Sequence, residues 1–113
     1  MSRAISIDPD RQIVEAVEVN GLEDLHRAVG GYIEVAFVFG SRDEVLYVNE
    51  EGMLQRLTPW RFYWRDDQPL FGRGIVVGKE IEDNSVEGFH NADVVASVED
   101  IRRLVRWIKS HTG

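Results

Sequence analysis

The side chains best equipped for chemistry stand together once in the chain. Trp60-Arg61-Phe62-Tyr63-Trp64-Arg65 puts four aromatic rings and two guanidinium groups into six positions. Aromatics and arginine are the types enriched where one protein grips another. The same types also stack on a base or hold a nucleotide. As a strand, the segment sends Trp60, Phe62 and Trp64 to one face and Arg61, Tyr63 and Arg65 to the other. As a helical turn, it clusters Trp60, Tyr63 and Trp64 instead. Trp60, Arg61, Tyr63, Trp64 and Arg65 are therefore the candidate binding residues, and part of the segment is expected at the edge of a binding surface. Arg61 and Arg65 would supply charge-assisted contacts to a carboxylate or phosphate, and a neighbouring ring the apolar anchor. The competing reading buries the tryptophans in the core while the arginines reach water.

No other constellation supports catalysis. The three histidines, His26, His90 and His111, lack metal-type spacing. With no cysteine, disulfides, thiolate zinc sites and cysteine nucleophiles are excluded. Acidic neighbours such as Asp43/Glu44, Glu50/Glu51, Asp66/Asp67 and Glu82/Asp83 read as solvated turns, since adjacent strand residues point to opposite faces. The serines show no nucleophile-elbow pattern. Gly72-Arg73-Gly74-Ile75-Val76-Val77-Gly78 has the glycines of a phosphate loop but opens no helix, so it reads as a strand between turn glycines. No motif implies a cofactor, and an enzyme is the least favoured class.

The formal net charge is -7 over 113 residues. All acidic side chains lie before residue 101, and the last segment carries only basic ones. Duplex nucleic acid is a poor match, because neutralising phosphates needs a dense basic patch. No apolar run approaches the roughly 20 residues of a membrane span. The early residues reach an acid and a proline too soon for a secretory signal, so a cytoplasmic location is expected.

These side chains must be positioned by a single domain, residues 1–113. Asp8-Pro9-Asp10-Arg11 is a turn signal between two β-rich runs, which reads as an antiparallel hairpin. Leu22, Leu25, Ala28 and Val29 have helical spacing, with Asn20 as candidate cap and Gly30-Gly31 as the stop. Only one of these two glycines is expected to need a positive φ. Residues 32–39 are nearly all apolar and read as a central strand covered on both faces. They lead into Val45–Val48 and a third short strand at Met53–Leu57, a meander. Residues 79–91 read as a loop. Ser97 and Asp100 make a capping box for a last helix whose stripe is Ile101, Leu104, Val105 and Ile108. The fold class is α+β: a mostly antiparallel sheet of about five to six strands, one short helix after the second strand, and a C-terminal helix.

Gly21-Leu22-Glu23-Asp24-Leu25, Val29-Gly30-Gly31-Tyr32-Ile33-Glu34-Val35, Tyr47-Val48-Asn49-Glu50-Glu51-Gly52 and Gly74-Ile75-Val76-Val77-Gly78 together resemble the domain-of-unknown-function family numbered 3846. The resemblance runs over roughly residues 4–80. It implies an accessory protein of phage or mobile-element origin and supplies no catalytic residues. Where that family continues with a proline, asparagine and arginine stretch, this chain has Thr58-Pro59-Trp60-Arg61-Phe62-Tyr63-Trp64, so the aromatic cluster is a departure. The expected function is a non-catalytic accessory protein that binds and modulates another protein. The alternatives are a sequestering protein for a small nucleotide-like ligand, or an acidic mimic of nucleic acid. A homodimer paired through an open strand edge is a further expectation.

Overall fold

The first hairpin forms as its turn chemistry dictates. Strand β1 (Ser2–Asp8) pairs antiparallel with β2 (Ile13–Val19), Ile5 facing Ala16. At the turn the Asp8 carboxylate accepts from the backbone N–H of Asp10 at 3.0 Å and from Arg11 Nε at 2.9 Å. The computed structural model describes residues 2–40, 43–51, 60–65, 68–81 and 91–109.

Helix α1 (Leu22–Val29) follows, with Leu25 and Val29 buried and Leu22 partly exposed. Gly21 occupies the cap position in place of the expected Asn20. The Asn20 N–H instead donates to the Asp24 carboxylate at 2.7 Å. Gly30 closes the helix in the left-handed conformation at φ 80°, and Gly31 has no positive φ. That is the division of roles the sequence suggests.

Strands β3 (Ile33–Phe39) and β4 (Glu44–Asn49) form the second hairpin. The third strand expected at Met53–Leu57 lies outside the described residues. Strand β7 (Gly74–Val77) enters between the hairpins and pairs with both β1 and β4. The resulting order is β2-β1-β7-β4-β3, every neighbour antiparallel. The glycine-flanked run at 72–78 is thus a buried strand, as its failed phosphate-loop context indicates. A Cβ at Gly74 would meet Leu46 Cδ1 at 3.1 Å and Phe62 Cζ at 3.3 Å, so the chain there is packed from the neighbouring sheet.

The place of β3 corrects the expectation of a central, doubly covered strand. It is an edge strand, with Val35 and Val38 about half exposed. A bulge at Ala36 shifts the register between Val35 and Phe37. One extra residue reverses which side chains face inward. Phe37 and Phe39 therefore pack on the core beside Trp64, while Val35 and Val38 take the helix-bearing face beyond the reach of α1. A run with two inward registers reads as continuously apolar without being central.

A second sheet covers the other face. Strands β5 (Trp60–Trp64), β6 (Gln68–Phe71) and β8 (Val105–Lys109) pair antiparallel in the order β6-β5-β8. Among the described residues the strands number eight, in two sheets, and the fold remains α+β. The C-terminal helix α2 (Val98–Arg102) has its predicted box: Ser97 Oγ accepts from Asp100 N at 3.1 Å, and Ser97 N donates to the Asp100 carboxylate at 3.0 Å. It ends earlier than its apolar stripe suggests. Residues 105–109 are strand, because the open edge of β5 pairs their backbone, with Phe62 opposite Trp107. Long-range pairing within this sheet overrides a local helical pattern.

Two apolar clusters result. One lies between the sheets, around Ile5, Leu46, Phe62, Trp64, Val76 and Ile101. The other lies under α1, around Ala4, Leu25, Val29, Ile75 and Val77. Glu44, expected in a solvated turn, is buried and accepts from the N–H groups of Val95 and, at 3.3 Å, Ala96. It ties the segment before α2 to the sheet. No helix among the described residues is long and apolar enough to cross a membrane.

Two measurements check this account. Gly30→Ala should lose about 1–2 kcal/mol in denaturant unfolding, the cost of a left-handed alanine. The nearby Arg73 guanidinium, 2.9 Å from the added Cβ, can swing aside. An unchanged midpoint would contradict the helix stop. Partial burial pushes the Asp8 carboxyl up, but hydrogen bonds from the Arg11 side chain and from the Arg11 and Asp10 backbone outweigh it. The net shift is below the ordinary value. That stability is present above the unfolded pKa of about 3.9 and is lost as pH falls through the lower folded value. Asp8→Asn should remove this part of the acid dependence, measured as stability against pH, while leaving Arg11 paired with Glu15 alone.

Candidate functional site

The two faces of β6-β5-β8 differ in kind. Alternation along β5 turns Phe62 and Trp64 toward the five-stranded sheet, where both are fully buried. Leu70 joins them from β6, and Val105 and Trp107 from β8. Phe62 meets Trp107 edge-on at 6.4 Å, and Trp64 sits 5.7 Å from Phe37 and 5.8 Å from Phe39. Trp64 Nε1 is buried without a hydrogen-bond partner among the described residues.

The outer face carries Tyr63 at its centre. Cross-strand register sets Pro69 on one side of it and Arg106 on the other. The Arg106 guanidinium lies 4.8 Å from the Tyr63 ring centroid, a cation–π distance. One step along, Arg61 of β5 stands opposite Phe71 and Ile108. Arg106 and Pro69 are exposed, while Tyr63, Phe71 and Ile108 are half-buried. The described helices pack elsewhere, α1 on β7, β4 and β3, and α2 on β2.

The predicted site residues thus divide. Tyr63 is on the outer face, and the backbone of Arg61 is at a position of that face. Trp64 is a core residue, which corrects its place as a contact for a partner. Arg65 is exposed at the end of β5 with φ 54°, its N–H donating to Leu104 O at 2.8 Å and its guanidinium 4.9 Å from the Phe37 ring. It closes the rim between the sheets and stands off the outer face. Trp60 begins β5, and its side chain lies outside the described residues. Sequence reasoning missed Arg106, Pro69, Phe71 and Ile108. The signal for β8 was the alternation of Val105-Arg106-Trp107-Ile108-Lys109, which fits a strand as well as it fits a helix.

Among the described residues no group of three His, Cys, Asp or Glu side chains could hold a metal ion. His26 packs edge-on against Tyr32 at 5.3 Å. His90 and His111 lie outside the described residues. Tyr47 is the other perturbed group of note: burial, then the nearby Glu80 charge, raises its pKa. It lies on β4 under the helix face, apart from Tyr63.

The model of the domain of unknown function DUF3846 matches residues 1–101. The chain belongs to that family. No curated protein and no solved structure matches it. The DUF3846 match extends past the aromatic segment to Ile101, so both hairpins, β5, β6, β7 and most of α2 fall inside it.

Substitution separates the two faces. Trp64→Ala should cost about 3–5 kcal/mol, as for a buried aromatic. Tyr63→Ala should cost about 1 kcal/mol, the scale of one cation–π contact. Urea unfolding monitored by far-UV circular dichroism measures both, and equal losses would contradict the division of faces.

Proposed function

We propose that this DUF3846 chain is a non-catalytic accessory protein that binds another protein and modulates it, with the outer face of β6-β5-β8 as the docking surface. The observation that carries this reading is the Tyr63–Arg106 pair on a sheet face that neither described helix covers. Tyrosine and arginine are hot-spot types, and here each limits the other's freedom before a partner arrives. Pro69, Phe71 and Ile108 supply apolar surface around them. A partner patch with one apolar anchor and a carboxylate beside it fits this chemistry. The mobile-element origin implied by the family resemblance belongs to the same proposal. Mimicry of nucleic acid has less support, because acids at 8, 15, 23, 24 and 99 are engaged by Arg11, Arg27 and Arg102.

Affinity capture from host lysate with paired variants tests the proposal. A protein should be recovered by the parent chain and by Arg103→Gln, whose change lies at the cap after α2. Its recovery should fall about thirtyfold with Tyr63→Ala or Arg106→Glu at an unchanged melting temperature, the effect of a hot spot of about 2 kcal/mol. If both variants capture the same proteins at parental yield, or if the parent captures none, this surface is not a docking face.

A further inference from the structure

A cleft on the opposite side of the molecule brings together three arginines that the proposed docking face does not use. It has a volume of about 370 Å³ and lies between α1 and the β1–β2 hairpin. Small-molecule sites begin at about this size. Val17, Val19 and Ala28 give it an apolar lining, and Ser6 a hydroxyl. Arg11, Arg27 and Arg73 reach it from three separate elements: the first turn, the helix and the approach to β7.

The three guanidiniums are not equivalent. Arg11 is held by Asp8 and Glu15, both at 2.9 Å. Arg27 is held by Asp24 at 3.2 Å and, more loosely, by Glu23 at 3.7 Å. These carboxylates partner the two guanidiniums, which remain mostly exposed to solvent. Arg73 has no ion pair or hydrogen bond among the described residues. Its natural cross-strand neighbour is Asp8, since Ile7 pairs with Gly74. Asp8, however, is already committed to Arg11 and to the turn amides. The Ser6 hydroxyl, on the same sheet face as Arg73, likewise has no partner among the described residues. A fork of N–H donors and a hydroxyl, neither engaged by a described residue and both lining one cleft with two further arginines, suit a tetrahedral oxyanion. Asp8, Glu18 and Asp24 also line the cleft. Asp8 is taken up by Arg11 and the turn amides, while Glu18 and Asp24 offer acceptors to hydroxyl groups. The three acids disfavour a ligand that is anionic throughout.

We propose that this cleft binds a small phosphomonoester carrying hydroxyl groups, with the phosphate on Arg73 and Ser6 and the hydroxyl-bearing part toward Asp24. The site is independent of the docking face. Amide ¹⁵N–¹H spectra of the full chain, titrated with ribose 5-phosphate, inorganic phosphate and ribose, test it. Ribose 5-phosphate should give saturable shifts at Ser6, Ala28 and Arg73. Inorganic phosphate should bind more weakly at the same amides, and ribose should leave them unmoved. Arg73→Gln should weaken ribose 5-phosphate about tenfold, the scale of one lost charge-assisted contact. Arg27→Gln, on the exposed side of a helix, should also weaken it and guards against a folding defect in the first variant. Tyr63→Ala should bind as the parent does. Shifts that do not saturate, shifts spread over arginines outside the cleft (an adventitious ion only), or parental affinity in both arginine variants would overturn the proposal.

Discussion

The two hairpins of the larger sheet never pair with each other. Strand β1 offers one free edge and β4 another, and the gap between them is one strand wide. Strand β7 fills it with four residues, all buried, bonding Ile75 to Ser6 on one side and to Tyr47 on the other. Both apolar clusters meet on it, since Ile75 and Val77 point under α1 while Val76 points between the sheets. Without β7 there are two separate hairpins, and isolated hairpins are marginal in water. The strand is also distant in sequence from β1, so the sheet closes only after a long loop has been ordered, a topology that folds slowly.

What covers the two faces of that sheet follows from how each covering element is made. Helix α1 is short and covers only part of its side. It shields Ile75, Val77 and the middle of the sheet and leaves Val35 and Val38 in water. The cleft with its three arginines also opens on this helix-bearing side, beside the β1–β2 hairpin. The second sheet covers the opposite side with Phe62, Trp64 and Trp107, and its own far face becomes surface. One layer in the middle therefore produces two unrelated surfaces, one rich in stacked aromatic and guanidinium groups and the other concave and polar.

The chain spelled out its local chemistry and concealed its long-range pairing. The Asp8–Arg11 turn, α1, the Gly30 stop and the Ser97–Asp100 box are all short-range signals, and all are present in the structure. The edge position of β3 was hidden because a bulge mixes two alternation registers into one apolar run. The strand at 105–109 was hidden because Ile101, Leu104, Val105 and Ile108 suit a helix until β5 competes for their backbone. The aromatic segment was legible as a strand with two faces. Which face was core depended on Phe37, Phe39 and Trp107 arriving from distant parts of the chain. Arg106 entered the site through β8 and could not be read before that strand was placed.

The bulge at Ala36 has a consequence for how this sequence can vary. It lies between Ile33, which packs under α1, and Phe37 and Phe39, which pack between the sheets. The Ala36 carbonyl is held there by Gln68 Nε2 at 3.3 Å. Replacing one apolar residue by another in either half alters packing by a methyl group or two. Straightening the bulge with all seven residues of β3 kept would turn both phenylalanines away from Trp64 at once, whereas deleting Ala36 would leave Phe37 opposite Leu46 and facing Trp64. Among relatives that share this sheet, a β3 shorter by one residue should lack the bulge and keep both phenylalanines inward. The bulge and the extra residue are inherited together.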